Sequence, residues 1–332
     1  MKHIEVGTPA CLPLGVVKIC VDGQERICLF GASLQHPPTH IYAQRSDHFV
    51  VTGARADVAI PYVERYCNAN GLLQPAEIEV ELAAPAHAGL GSKPMLGMAM
   101  AKTVAWINTH DQIQPRFDDP TFLTNGLGID GKETLYQQAA LTGGLLLVDS
   151  TEKEAGQALV RRIETDTTEK NAWAFVLVLP RPPADTPDSL EEDRLNTLLN
   201  AAANLDKQNG ILFDETIWPA IEQDDLETFG DGLMQLQQIN QAALGAIGQS
   251  CPLMDWEQSV LQVMADNGAV AWGRSLTGYG LFAITRDARA TINMRVALRG
   301  VVPHEQASMI ATIVEQRGMT LVEKEGKIKL LV

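Results

Sequence analysis

Basic residues are in short supply in this chain: lysine and arginine number 26 against 41 aspartates and glutamates over 332 residues, a formal net charge of −15. A nucleic-acid partner, whose phosphates demand a basic face, is excluded from expectation. An anionic small molecule is not, because backbone dipoles and a few local cations outweigh a distant global field. Cysteine is sparse and unpatterned. The five cysteines (Cys11, Cys20, Cys28, Cys67 and Cys251) form no Cys-x-x-Cys pair and are odd in number, which reads as free thiols rather than a disulfide framework. The seven histidines supply no helical pair and no Cys/His set suited to zinc. No basic segment followed by an apolar core opens the chain, and no uncharged apolar run approaches the roughly 18 residues of a membrane helix. A cytoplasmic protein with no membrane partner is expected. Walker A and dinucleotide fingerprints are missing too: the first needs Gly-Lys-Ser/Thr after a longer gap, the second a third glycine.

What is present is a folded composition, 45% hydrophobic and 20% charged, in a chain longer than a typical single domain. The most informative segment is Pro85-Ala86-His87-Ala88-Gly89-Leu90-Gly91-Ser92-Lys93-Pro94, running into the apolar helix pattern Met95 to Ile107. Two glycines allow a tight turn that offers backbone N–H groups to a ligand. Ser92 suits a helix cap, and Pro94 suits a first turn, where a missing donor costs nothing. The positive end of the helix dipole, with Lys93 beside it, favours a phosphate. An ordinary loop-to-helix transition fits the same residues.

Along the chain, short β-like runs are expected at Val16–Val21, Arg26–Phe30, Thr39–Ala43 and Phe49–Thr52, then a helix over Val58–Asn70 and a strand over Ile78–Leu82. A polar loop spans Thr109–Asn125. A second glycine loop, Gly126–Asp130, leads into a helix over Lys132–Leu141. Gly143-Gly144 then turns into a strand over Leu145–Val148 that ends at Asp149, and Ser150–Asn171 reads as a charged linker. Trp173–Leu179 is an apolar strand. Helices follow over Ser189–Lys207, Asp225–Gly245 and Trp256–Asn267. The third glycine loop, Gly273–Gly280, precedes a strand over Leu281–Thr285; His304–Arg317 reads as helical and Ile328–Val332 as a strand. The order fits a two-domain α+β protein, divided at about residue 170 into residues 1–170 and 171–332.

In this order the features resemble the GHMP kinase superfamily, whose phosphate-binding motif is a glycine-serine loop before a helix. Within it the β-ribofuranosylaminobenzene 5′-phosphate synthases are most similar. Gly89-Leu90-Gly91-Ser92 matches their Gly-Leu-Gly-Ser unchanged. Gly143-Gly144 with Asp149, Trp173–Pro180, and Trp218-Pro219-Ala220 with Asp225 and Phe229-Gly230 resemble further segments of theirs. Departures are equally specific. Cys11 and Pro13 stand where the family has Arg and His, Gly131-Lys132-Glu133-Thr134 replaces an Arg-x-x-Arg-Ser-type segment, and Arg274 and Thr277 replace Gln and Trp.

The resemblance implies a ribosomal S5 domain 2-like N-terminal domain and a ferredoxin-like C-terminal domain. It further implies a magnesium-dependent transferase of one-carbon metabolism, which joins phosphoribosyl pyrophosphate to an aromatic acid with loss of CO2 and pyrophosphate in tetrahydromethanopterin biosynthesis. His87, Gly89, Leu90, Gly91, Ser92 and Lys93 are the expected pyrophosphate site. Lys132 and Arg274 are the remaining loop cations, for a 5′-phosphate or an acceptor carboxylate, or simply solvated charges. Asp149 would orient a substrate hydroxyl or bind Mg²⁺, or cap the next segment. Trp272, Ser275 and Tyr279 would line the acceptor slot, or serve packing. A homodimer is compatible. Two other functions fit: an ATP-dependent small-molecule kinase, opposed by Lys93-Pro94 where a kinase loop carries a second hydroxyl, and a catalytically degenerate paralogue acting as a subunit or ligand sensor, favoured by the lost Arg and His.

Overall fold

A computed structural model describes residues 2–73, 76–109, 116–127, 133–152, 155–165, 173–205, 207–248 and 252–325. The chain opens with two unusually long strands, β1 (Lys2–Val21) and β2 (Gln24–Arg45), paired antiparallel. Asp22 and Gly23 join them, both at positive φ, in the two-residue turn that matches strand twist. Three short runs, Val16–Val21, Arg26–Phe30 and Thr39–Ala43, were expected here. Prolines, which a regular ladder excludes, lie at its irregularities: pairing shifts between Pro13 and Gly15, and again between Thr8 and Ala10, where the partner strand runs from Leu34 to Thr39 through Pro37 and Pro38.

Those shifts also decide which core each residue joins. Ile4 and Val6 point to one core, Ala10, Leu12 and Leu14 to the other, and Val16 back to the first. The first shift leaves three extra residues on β2 and the second leaves one on β1, each an odd number that inverts the parity of the alternation, so one continuous strand feeds two cores.

The first sheet is completed by β3 (Val50–Gly53), β4 (Ala76–Leu82), β5 (Leu145–Asp149) and β6 (Leu159–Ile163), with helices α1 (Ala56–Asn70), α2 (Ser92–Thr109), α3 (Pro120–Thr124), α4 (Thr134–Thr142) and the single turn α5 (Ala155–Ala158). The expected linker at 150–171 thus holds α5 and a strand paired with β5. Helix α2 is apolar nearly all round and buried nearly all round, as such a helix must be; its one deep charge, Lys102, meets Asp118. No helix among the described residues is long and apolar enough to cross a membrane.

The second unit runs β7 (Ala174–Pro180), α6 (Leu190–Ala202), α7 (Lys207–Leu212), a π-turn over 213–217, α8 (Trp218–Glu222), α9 (Leu226–Ala246), α10 (Asp255–Asp266), β8 (Ala271–Arg274), β9 (Leu281–Thr285), α11 (Ala288–Leu298) and β10 (Ala307–Ile313). Its antiparallel sheet has the order β10-β7-β9-β8. With helices after β7 and β9, this is the β-α-β-β-α-β ferredoxin-like arrangement. Strand β7 is buried throughout because both faces are covered. Phe175, Leu177 and Leu179 join the core shared with the first sheet, while Val176 and Val178 face α10 and α11. The expected helix at 304–317 is instead β10: Met309, Ile310, Thr312 and Ile313 supply β-forming side chains that pair with β7. Strand β11 (Thr320–Glu325), which a division at residue 170 would leave in the second unit, pairs with β1 in the first sheet. The strand expected at 328–332 lies outside the described residues.

Two buried amides clip the units together. Asn240 on α9 accepts from Val16 N (2.8 Å) and donates to Val16 O (3.0 Å); Asn209 on α7 accepts from Lys18 N (2.9 Å) and donates to Val16 O (2.9 Å). They satisfy β1 backbone groups beyond its second bulge.

Candidate functional site

A cleft of about 240 Å³ opens between the two units, around the first glycine loop. Within that loop His87, Gly89 and Gly91 all have positive φ, at 61°, 74° and 66°. Left-handed residues at every second position turn successive N–H groups toward one concavity, an anion-binding nest. The glycines take this conformation freely; His87 holds it against a steric cost because its carbonyl is anchored by Tyr279 N at 2.8 Å.

The loop carbonyls are all taken from behind. Tyr279 N reaches His87 O, Gly280 N reaches Ala88 O (3.1 Å), Ser275 Oγ reaches Gly89 O (3.1 Å) and Cys11 N reaches Leu90 O (3.1 Å). The third glycine loop is therefore a clamp on the first. Gly278 must be glycine there: a Cβ would lie 2.0 Å from Gly89 N. Gly91 is equally constrained, since a Cβ would lie 2.3 Å from the Tyr136 ring.

Helix α2 begins at Ser92 itself, so the capping position falls on Gly91, whose carbonyl accepts from Met95 N at 3.0 Å. Ser92 is the first helical residue and not the cap expected from sequence. Its hydroxyl accepts instead from Arg55 Nη1 at 2.8 Å. Four helices present their first residues to this cleft: Arg55 precedes α1, Ser92 starts α2, Glu133 precedes α4, and Asp188 and Glu191 stand at the start of α6. Each such terminus carries partial positive charge on unsatisfied N–H groups.

Side chains then set the balance. Arg55, Arg65 and Lys93 face Glu133, Asp188, Glu191 and Glu192, three cations against four carboxylates. Lys93 Nζ donates to Asp188 O at 2.8 Å. Gly89 N–H donates to Glu191 Oε1 at 2.9 Å, so a carboxylate already sits in the nest. Burial raises the Glu191 carboxyl above its ordinary range, against the lowering pull of the Gly89 N–H, Arg55, the Gly91 N–H and Lys93. His87 is shifted down, first by burial and then by Arg55 and Lys93, although Asp188 pulls it up; it serves as a neutral imidazole near pH 7.

Of the residues expected from sequence, the structure brings His87, Gly89, Leu90, Gly91, Ser92 and Lys93 together at the loop, with His87, Ser92 and Lys93 in the cleft wall. The others stand apart. Asp149, 2% exposed, is held by Arg26 Nη1 (2.9 Å), Thr151 N (2.8 Å) and Thr151 Oγ1 (2.7 Å), and is not among the cleft residues. Arg274 pairs with the fully buried Glu257 at 3.5 Å, and with Ser275 it lines a second cavity of about 360 Å³. The Arg194 and Arg274 guanidiniums both lie over the Tyr279 ring, at 4.8 and 5.2 Å from its centre, and Trp272 packs beside the α10–α11 core. Lys132 lies outside the described residues. Cys11, where the resembled family has Arg, is fully buried with its thiol pushed far up by burial, so it offers no nucleophile. Helix α6 separates the two cavities. Glu191, Glu192, Leu195 and Asn196 line the first, and Leu190, Asp193, Arg194 and Thr197 line the second.

Sequence reasoning missed Arg55, Arg65, Tyr136 and Glu191. None stands in a glycine motif, and each reaches the cleft through tertiary folding.

Apart from the His87 imidazole, the metal-donor groups of this cleft are oxygens: the carboxylates of Glu133, Asp188, Glu191 and Glu192, the Ser92 hydroxyl and the Tyr136 phenol. No cluster of three or more metal-ligating side chains exists among the described residues. That fits Mg²⁺ carried chiefly by phosphates with one or two protein carboxylates, and not a preformed cage.

No protein-family model matches this chain, and no curated protein matches it by sequence. Solved structures do. Homoserine kinase from Cytophaga hutchinsonii superposes with a TM-score of 0.65 at 16% identity, covering 96% of this chain and 97% of that one. Mevalonate diphosphate decarboxylase from Enterococcus faecalis, described with mevalonate diphosphate-mediated ATP binding, gives 0.63 at 11% identity over 98% and 100%. A structure of MDDEF in complex with MVAPP, AMPPCP and magnesium gives 0.61 at 12% over 98% and 100%. These likenesses span both units, and over nearly its whole length the chain has a two-domain α+β fold like that of the GHMP kinases.

Proposed function

We propose that this cleft holds the phosphate chain of a diphosphate- or triphosphate-bearing small molecule, and that the protein is a transferase using that molecule as donor. The observation that carries this is the convergence of four helix starts on one nest whose carbonyls are all occupied from behind. Backbone N–H groups so fixed are set to meet an anion, the place now taken by the Glu191 carboxylate. The excess of carboxylates over cations in the wall calls for a divalent cation to accompany the phosphates. Glu133, Asp188 and Glu192 stand where one or two of them would hold Mg²⁺, which would neutralise charge on the leaving phosphate. His87, neutral near pH 7, donates or accepts a hydrogen bond at the phosphates without adding charge.

Two donors fit. ATP is supported by the fold shared with homoserine kinase and mevalonate diphosphate decarboxylase. Phosphoribosyl pyrophosphate, the donor of the synthases the sequence resembles, is supported by the unchanged Gly89-Leu90-Gly91-Ser92 and by Lys93-Pro94 in place of a second hydroxyl. We favour phosphoribosyl pyrophosphate, and with it synthase-like transfer to an aromatic acid. Thermal unfolding with each donor and Mg²⁺ decides: saturation at 100-fold the dissociation constant adds about 2.7 kcal/mol of stability. A larger rise with phosphoribosyl pyrophosphate, followed by release of CO2 and pyrophosphate when an aminobenzoate is added, is the expected result. A larger rise with ATP and net ATP consumption would establish the kinase reading. Binding with neither turnover would leave a ligand sensor.

A further inference from the structure

A nest built for an anion is occupied here by one of the protein's own side chains. Glu191, carried by the second unit, accepts from Gly89 N–H at 2.9 Å; the Gly91 N–H, Arg55 and Lys93 add their attraction. The same segment holds Lys93 through the Asp188 carbonyl. Glu191 thus takes the place of a phosphoryl group.

From this geometry we propose that Glu191 is the specificity-determining residue of the cleft: its carboxylate must be displaced by any ligand, and it thereby selects polyphosphates against single anionic groups. The inference rests on the reading of the cleft as a phosphate-chain site. A single anionic group gains from the nest only what Glu191 relinquishes, so the exchange is nearly even. A diphosphate gains the nest and also a second set of partners, Ser92, Arg65 and the bound cation, which Glu191 does not satisfy. The displaced carboxylate has somewhere to go. Glu191 stands in the first turn of its own helix α6, where negative charge is favourable. Burial already opposes its ionised form in the nest, which lowers the cost of leaving.

The site's other charged and titratable groups bear on the test, because acidification acts on them too. Around Glu191 these are Arg55 and Arg65 from the α1 end, His87 and Lys93 from the loop and α2, Glu133 and Tyr136 from the α4 end, and Asp188 and Glu192 from its own segment. Mutation is therefore the primary readout, and pH is secondary.

The experiment is calorimetric titration of the full chain with sulfate and with inorganic pyrophosphate plus Mg²⁺, for the parent, Glu191→Ala and Glu191→Gln, each checked for folding by circular dichroism. The expected result is that Glu191→Ala tightens sulfate by about tenfold or more, equivalent to about 1.4 kcal/mol. Pyrophosphate should tighten less, so that the preference for pyrophosphate over sulfate shrinks. Glu191→Gln should change both in the same direction, which keeps the test valid if the alanine variant fails to fold. Sulfate keeps its charge between about pH 5 and 8 while carboxylates and imidazoles titrate. Parent affinity for sulfate should therefore rise on acidification, and the rise should be lost in Glu191→Gln. If the rise persists undiminished in that variant, it belongs to the cleft's other titrating groups (His87, Glu133, Asp188 and Glu192) and the proposal falls. Sulfate affinity unchanged or weakened in both variants overturns it too, and with pyrophosphate still bound by the parent the phosphate-chain reading survives. If no folded variant binds either anion, that reading fails as well.

Discussion

Arg55 donates to the Ser92 hydroxyl across 2.8 Å, tying the residue that precedes α1 to the first residue of α2. The contact fixes a guanidinium in the wall of the cleft that both residues line. Arg55→Ala should weaken Mg²⁺–pyrophosphate binding by about 10- to 100-fold, the scale of one charge-assisted hydrogen bond. Ser92→Ala removes a neutral acceptor and should cost about 0.5–1.5 kcal/mol of the same affinity. Isothermal titration of the two variants checks the order, and Ser92→Ala proving the worse would refute it.

The clamp behind the nest makes a separate prediction. Gly91→Val would place a branched side chain at a φ of 66° against the Tyr136 ring, and Gly278→Ala would drive a methyl onto Gly89 N. Both should abolish anion binding, the second from a residue that does not line the cleft. Ser275→Ala, which frees the Gly89 carbonyl and removes the acceptor of the Thr277 N–H, should weaken binding without abolishing it. Titration beside circular dichroism separates lost binding from lost fold.

Glu191 gives a pH dependence of stability with a definite sign. Its carboxyl is raised in the folded state, chiefly by burial, so the fold binds that proton more tightly than the unfolded chain does. The stabilising contribution is complete below the ordinary glutamate value of about 4.3 and is lost as pH rises through the raised folded value. Glu191→Gln, which cannot ionise, should melt higher than the parent at neutral pH, and the two curves should converge as pH drops below about 4.3. Unfolding temperatures across that window provide the check; a parent that is the more stable at neutral pH would contradict the sign.

Asn240 and Asn209 should matter to stability and not to binding. Asn240→Leu leaves Val16 N–H buried without its acceptor, at a cost of about 1–3 kcal/mol. Adding Asn209→Leu then strips the Val16 carbonyl of its second donor, so the double variant should lose more than the two single losses combined. Chemical denaturation measures all three.

The parts of this protein that could be read from sequence are those whose conformation is decided locally. Gly89, Gly91 and the apolar run after Pro94 announce a turn and a helix wherever they occur, and the structure has both. Strand β7 and helices α9 and α10 follow their apolar patterns. What escaped was decided by distance. Pro13, Pro37 and Pro38 argue locally against long strands, because nothing local shows that a partner strand tolerates bulges there. The turns at 207–222, interrupted by a π-turn and Pro219, carry no clean helical period. Leu159–Ile163 is only half-buried, so its pairing with β5 left little apolar signal. The same holds for the site. The loop was legible, whereas Arg55 and Glu191 come from segments 37 and 102 residues away that share no motif with it. Asp149 and Arg274 had the right chemistry for a ligand, but Arg26 and Glu257 engage them.

Helix α6 is a party wall. One side of its first two turns closes the cleft around the nest, and the other closes the larger cavity lined by Arg194 and Arg274. A packed helix moves as a body, so no rigid displacement of α6 can widen one chamber while leaving the other unaltered. Whatever seats Glu191 in the nest or dislodges it with the helix therefore sets the dimensions of a room on the far side, and the volumes of the two cavities are not independent quantities.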